Sequence, residues 1–272
     1  MANVGSLKNE LASKKTTGVG TAGSSIKGML ESPAIKKRFE EVLDKKAPQF
    51  MSSVVNLVNG DTNLRKVDQM SVIASVMVAA TLDLPVDKNL GYAWVVPYGD
   101  KAQFQLGYKG YVQLALRTGQ YKSINVVEIC EGELIKWNQL TEELVIDFEK
   151  RLSDVVVGYA GYFELVNGFR KTVYWTKEQI EKHRKKFSKS PFGWSKDFDA
   201  MAKKTVLRNM LSKWGILSIE MQTAYKGDMN TVNAAAVDSG NVDENIEYLD
   251  IDFSVNEEGI NEPHYEPVEV HP

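Results

Sequence analysis

The sequence predicts an α+β fold: helical segments at both ends of the body, and between them a small antiparallel β-sheet with a long β-hairpin. Three observations lead there. Apolar residues recur at helical spacing from Ser32 to Leu82 and again from about 176 to 214. Between these ends the pattern switches to two-residue alternation, punctuated by the turn signals Gly99-Asp100 and Asn167-Gly168. Beyond Lys226 both patterns fade into an acidic segment rich in Asn, Ser and Gly.

The elements follow in chain order. Residues 1–27, rich in Ser, Thr, Gly and Lys, read as a mobile arm. Ser32-Pro33 is an N-cap followed by proline at the first helical position, and Ile35, Phe39, Val42 and Leu43 continue at helical spacing. A second helix is expected from Pro48 to about Val58, where Asn59-Gly60 stops it. A third is expected over about 66–82, with Met70, Ile73, Ala74, Met77 and Val78 as its apolar face. Tyr92 to Tyr98 and Lys101 to Tyr108 form the arms of the hairpin. In the second arm Ala102, Phe104, Leu106 and Tyr108 face one way and Gln103 and Gln105 the other. A short helix over Lys109 to Arg117 ends at Gly119. Strands are expected near 122–130, 144–149, 155–165 and 169–175, then helices near 176–187 and 195–214. The chain thus divides into an arm (1–27), a core (28–226) and a largely disordered acidic tail (227–272).

Charge is distributed unevenly along this plan. All 33 Lys and Arg lie at or before Lys226, and 12 of the 36 acids lie after it, so the body carries 33 bases against 24 acids. Between Arg170 and Lys213 alone there are 13 bases and 4 acids. A basic patch beside an acidic tail points to a polyanion binder with its own docking or self-competing segment. Within the tail, Ile246, Tyr248, Leu249, Ile251 and Phe253 are large apolar residues among acids, and they are the candidate partner-docking segment.

Several classes of chemistry lack their residues. No G-x-x-x-x-G-K-[ST] loop is present to cradle nucleotide phosphates, which removes ATP-driven strand-exchange motors and helicases. A single cysteine, Cys130, rules out an intramolecular disulfide and fits a reducing cytoplasm, and three His leave no room for a Cys/His zinc site. No apolar run approaches the roughly 18 residues that span a bilayer, so no membrane partner is expected. His183, beside Arg184, Lys185 and Lys186, reads as a solvated surface histidine rather than a general base. Glu133-Leu134-Ile135-Lys136, with Glu128, Glu131 and Asp147, has a weak nuclease-like acid and lysine pattern, for which a solvated loop is the alternative.

The basic segment has a geometry that spacing can define. At 100° per residue, Val206, Leu207, Met210, Leu211 and Trp214 share an apolar arc of the 195–214 helix, and Lys204 and Arg208 stack on its flank. Lys203 falls inside the arc, where it must meet an incoming phosphate or a local carboxylate. In the preceding helix, Glu178/Lys182 and Glu181/Lys185 stand at pairing distance in sequence. Aromatic residues interleave with the bases: Trp175 precedes Lys177, Phe187 follows Lys186, Trp194 precedes Lys196, and Tyr108 and Tyr111 bracket Lys109. Cations beside ring faces suit a strand whose phosphates are neutralised while its bases stack. Lys101, Arg170, Lys171, Lys185 and Lys186 join Trp175 in the candidate DNA-binding set.

Two blocks of residues also resemble a known family. They are Leu84 to Ala93 with Val96-Pro97-Tyr98 and Phe104 to Gly110, and, later, Arg117-Thr118-Gly119 with Met201 to Arg208. In this order they resemble the RecT family of phage single-strand annealing proteins, over roughly 30–225. The resemblance implies ATP-independent binding and annealing of single-stranded DNA by a homo-oligomeric ring or filament, with an annealed duplex intermediate. It implies no covalent catalysis and no required cofactor, with Mg2+ as a possible modulator, and as partners a phage exonuclease and the host single-strand-binding protein. It also implies a core similar to other phage annealing proteins, with a helix against a small antiparallel sheet. By position it nominates Gln105, Tyr108, Lys109, Arg117, Lys203, Lys204 and Arg208 as groove residues. A Mg-dependent DNase and a DNA-coating module without annealing activity are the alternatives.

Overall fold

The computed structural model of the chain describes residues 25–188, 192–216, 218–225 and 227. Helix α1 (Ile26–Leu30) opens the described chain, capped by the Ser25 hydroxyl, which accepts from the Gly28 N–H at 3.2 Å. It begins inside the segment expected to be an arm. Helix α2 (Pro33–Leu43) starts on Pro33 as the sequence predicts and buries Phe39 and Leu43. A 3-10 turn (Asp44–Lys46) leads to α3 (Ala47–Asn59), which buries Val54, Leu57 and Val58.

Helix α4 (Gln69–Thr81) corrects one expectation. Its N-cap Asp68 accepts from the Met70 and Ser71 N–H groups, and it buries Val72, Ile73, Ser75, Val76, Ala79 and Ala80. Met70 and Ala74 face outward instead. The helix is apolar on most sides, so periodicity could not choose among its faces; packing on the hairpin chose.

That hairpin, β1 (Ala93–Tyr98) and β2 (Lys101–Leu106), pairs antiparallel in the register Trp94 opposite Gln105. Ala93, Val95, Ala102, Phe104 and Leu106 are buried, as the alternation requires, and β2 lies against α4. Hydroxyls of α4 join the two elements. Ser71 Oγ accepts from the Ala102 N–H at 2.7 Å, and Ser75 Oγ donates to the Ala102 carbonyl at 3.1 Å. Helix α5 (Tyr108–Arg117) follows the hairpin after one residue, and two glycines set that corner. A Cβ on Gly107 would lie 2.1 Å from the Gly91 carbonyl oxygen, and one on Gly110 2.2 Å from that of Tyr92. The Gly107 N–H also donates to Tyr92 O at 2.8 Å, so the chain before the hairpin is held against the turn that leaves it.

The second half is built on β3 (Tyr121–Cys130), β6 (Val156–Leu165) and β7 (Arg170–Thr176), an antiparallel sheet in the order β3-β6-β7. The β6–β7 turn carries Asn167-Gly168 with Gly168 at φ 87°. Between β3 and β6, β4 (Leu134–Asn138) and β5 (Glu143–Ile146) make a separate hairpin. No strand is expected from sequence at β4, and the strand expected over 144–149 ends at Ile146, ahead of a 3-10 turn (Phe148–Lys150). Helix α6 (Lys177–Phe187) opens on a capping box between Thr176 and Gln179. After the short α7 (Phe192–Lys196), α8 (Phe198–Trp214) is capped by Asp197 and lies across all three strands. The expected 195–214 helix is therefore two helices.

Helix α5 joins the halves, touching both β3 and α8, and the buried apolar residues of both form one continuous core. At the same seam, Tyr121 Oη accepts from the Ile216 N–H at 2.8 Å. No helix among the described residues is long and apolar enough to cross a membrane.

Candidate nucleic-acid interface

The fold changes the charge count that sequence gives for 170–213. Three carboxylates from outside the segment reach its cations: Glu164 binds Arg170 at 3.4 Å, Glu128 binds Lys203 at 2.6 Å, and Glu142 pairs with Lys171. Within α6, Glu178 binds Lys182 at 2.8 Å and Glu181 binds Arg184 at 3.2 Å. Glu181 therefore takes Arg184 rather than the expected Lys185. Among the described residues, Lys177, Lys185, Lys186, Lys196 and Lys213 form no ion pair, and all five are exposed. Surface cations of this kind are available for phosphate, and their attraction is screened by salt.

Lys203 shows how a lysine inside an apolar arc is accommodated. Its ammonium meets Glu128 on β3, and that hydrogen bond raises its pKa against the opposing effect of burial. The local carboxylate, one of the two partners the spacing left open, is the one observed. Tyr108, at the first turn of α5, lies within electrostatic reach of Lys203 and binds the backbone of Val126. Burial pushes its phenol pKa up. Tyr108 and Lys203 thus come together from the two halves of the chain. Nearby, Tyr159 is fully buried and donates to Asp199 at 2.5 Å; burial and that carboxylate raise its pKa.

His183 is the clearest correction to the sequence reading. Instead of standing in solvent it is half-buried, with Trp175 5.7 Å away on one side and Phe187 4.7 Å away on the other. Burial and the nearby Arg208 guanidinium pull its pKa down to about 4, so the ring is neutral near pH 7. Arg208 of α8 and Trp175 of β7, both nominated from sequence, are therefore brought to one place through a residue that was not. Lys185 and Lys186 lie on the same helix as His183, with Lys186 5.3 Å from the Phe187 ring. Lys204, a turn before Arg208, is half-buried. Tyr111 and Trp194, two of the interleaved aromatics, are core residues instead.

Lys171 is mostly buried. Its ammonium lies 3.8 Å from the Trp214 ring centroid, and the Glu142 that pairs with it also accepts from the Thr172 N–H at 3.1 Å. Trp137 of β4 meets Tyr174 of β7 edge to face, with centroids 6.1 Å apart. Sequence reasoning passed over Trp137, Tyr174 and Lys213. Lys136-Trp137 and Lys213-Trp214 both repeat the cation-beside-aromatic pattern that flagged other positions, so the signal was present.

The remaining candidates lie apart. Lys101 is exposed at the hairpin turn, and Gln105 is half-buried on the hairpin's outer face beside Trp94. Lys109 is exposed on the first turn of α5. Arg117 closes the same helix, but its guanidinium donates to the carbonyls of Leu82 at 2.6 Å and Asp83 at 2.8 Å. It caps the end of α4, and the structure does not bring it to the α6–α8 surface. Arg170 lies at the β6–β7 turn.

Of the nuclease-like carboxylates, Glu133 is structural. Glu133 is fully buried, accepts from the Cys130 N–H at 2.7 Å and binds Arg151 at 2.6 Å, which together lower its pKa. Among the described residues no group of three or more His, Cys, Asp or Glu could hold a metal ion. The tail residues Ile246, Tyr248, Leu249, Ile251 and Phe253 lie outside the described residues.

Comparison with known proteins adds an independent line. A model of the RecT family matches residues 48–239. The chain is 68% identical over 225 residues to the uncharacterized protein YqaK of Bacillus subtilis strain 168, across 82% of this chain and 79% of that protein. It is 27% identical over 221 residues to protein RecT of Escherichia coli K12, across 75% of this chain and 80% of that protein.

Proposed function

The chain belongs to the RecT family, and from that premise we propose that it binds single-stranded DNA without ATP and anneals complementary strands. It does so as an oligomeric filament or ring in the bacterial cytoplasm. The observation that carries this reading is the span of the family match, which takes in the hairpin, the sheet and both basic helices. The exposed, carboxylate-free lysines of α6 and α8 support a phosphate grip without base readout. Such a grip leaves base edges free to find their complement, and pairing then supplies all sequence information. No bond is made or broken in the protein's part of this, so neither a nucleophile nor a resident metal is required. The acidic tail either docks a basic partner through Ile246, Tyr248, Leu249, Ile251 and Phe253 or competes with DNA for the groove.

The test is hybridisation of two complementary fluorescent oligonucleotides, added one after the other without nucleotide cofactor, across a salt series. Acceleration that fades steeply with salt, with both strands intact, is the expected result. Lys185→Ala with Lys186→Ala should flatten the dependence of log affinity on log salt by about 1.4, since each single-strand phosphate contact contributes roughly 0.7. Binding without acceleration would leave a DNA-coating module, and shortened strands would put a nuclease in its place.

A further inference from the structure

A groove of about 510 Å³ lies between the β4–β5 hairpin, β7 and the C-terminal end of α8. Its walls include four aromatic side chains, Trp137, Tyr174, Trp175 and Trp214, and two cations, Lys171 and Lys213. Both ammonium groups approach the same indole: Lys171 lies 3.8 Å and Lys213 5.7 Å from the Trp214 centroid. Lys171 is held there by Glu142, whereas exposed Lys213 forms no ion pair among the described residues. Trp214 itself is 37% exposed although it ends a helix that is otherwise anchored in the core.

We infer that this groove holds an unstacked nucleobase of the bound strand, its ring against the indoles and its phosphate against Lys213. The inference rests on the single-strand reading above and deepens it. A nucleotide presents a flat π-face next to an anion, and the groove presents indole faces next to ammonium groups. Its volume falls within the roughly 300–1,000 Å³ of sites that enclose small organic ligands. The groove is also continuous with the basic surface, because Trp175 lines it and packs on His183, which in turn lies within electrostatic reach of Arg208. Contact through ring faces is sequence-blind, since every base has one. The carboxylate best placed to read a base edge, that of Glu142, is occupied by Lys171 and by the Thr172 N–H.

The experiment compares two oligonucleotides of equal length and phosphate number, oligothymidine and its abasic counterpart, on the full-length chain. The wild-type protein should bind the abasic strand about tenfold more weakly, the loss expected when base stacking is removed. Trp214→Ala should bind both strands alike, and Trp214→Phe, which keeps a ring in the same place, should restore most of the discrimination. Far-ultraviolet circular dichroism and the urea midpoint of each variant separate a lost ring from a lost fold. Equal wild-type affinity for the two strands overturns the inference, as does a folded Trp214→Ala that still discriminates. A wild-type chain that binds neither strand overturns the DNA reading beneath it.

Discussion

The two halves of this molecule use their most distinctive residues for different purposes. In the half spanning 26–117, three residues of the family-like motifs are explained by backbone packing. Gly107 and Gly110 let the chain before the hairpin touch the corner after it, and Arg117 caps the carbonyl end of α4. In the half spanning 121–214, the distinctive residues face outward. Lys177, Lys185 and Lys186 of α6 and Lys213 of α8 lie exposed, and aromatic rings line an open groove beside Lys213. A motif position therefore does not announce a contact with DNA. The glycine-rich run builds the scaffold, whereas the exposed lysines proposed to hold a strand, Lys177, Lys185, Lys186, Lys196 and Lys213, all lie outside the Met201–Arg208 block that carries the second half's motif.

The sharpest way to break this comparison is Gly107→Ala. The added Cβ would overlap the backbone oxygen of Gly91, which cannot rotate away, so the corner must open. A loss of about 3 kcal/mol or more is expected, read from the urea midpoint. If the variant stayed as stable as the parent but annealed poorly, the glycine would serve DNA rather than the fold. Arg117→Ala is a milder case. It removes two charge-assisted hydrogen bonds to Leu82 and Asp83 and should cost about 2 kcal/mol, while the salt dependence of DNA binding stays unchanged. The Lys185 and Lys186 double variant should do the opposite, changing the salt dependence and leaving the midpoint alone. If Arg117→Ala lowered the salt dependence instead, the first half would own part of the DNA surface.

How far the sequence could be read depended on where the deciding interaction lay. The β1–β2 hairpin, the Asn167-Gly168 turn and the proline start of α2 were legible because each is set by residues adjacent in the chain. The inward face of α4 was not, because a helix apolar on most sides takes its orientation from its neighbours. Strand β4 was hidden by its short length and by a register shift between Leu134 and Lys136 that spoils the alternation. The site divided in the same way. That α8 is basic on one flank follows from 100° geometry, but that Glu128, Glu142 and Glu164 neutralise three cations of the segment is a product of the sheet. Likewise His183 reads as surface among its basic neighbours, and only β7 and α8 supply Trp175 and Arg208.

Lys203 tests the boundary between the halves, since it meets Glu128 of the second and lies close to Tyr108 of the first. Two outcomes can be told apart. As a structural counter-ion, Lys203→Met strands the Glu128 carboxylate in a half-buried position. Because about a third of each side chain is exposed (32% for Lys203, 34% for Glu128), water softens the penalty to about 1 kcal/mol, well below the cost of breaking a deeply buried pair. Glu128→Gln in the same chain should then recover most of that loss, because no charge is left without a partner. As a phosphate contact, Lys203→Met would instead flatten the salt dependence of DNA binding by about 0.7, and Glu128→Gln alone would tighten binding by freeing the ammonium. The first pattern is expected, because the 2.6 Å bond to Glu128 already satisfies the lysine before any strand arrives. Urea midpoints and a salt titration on the four chains of this cycle decide between them.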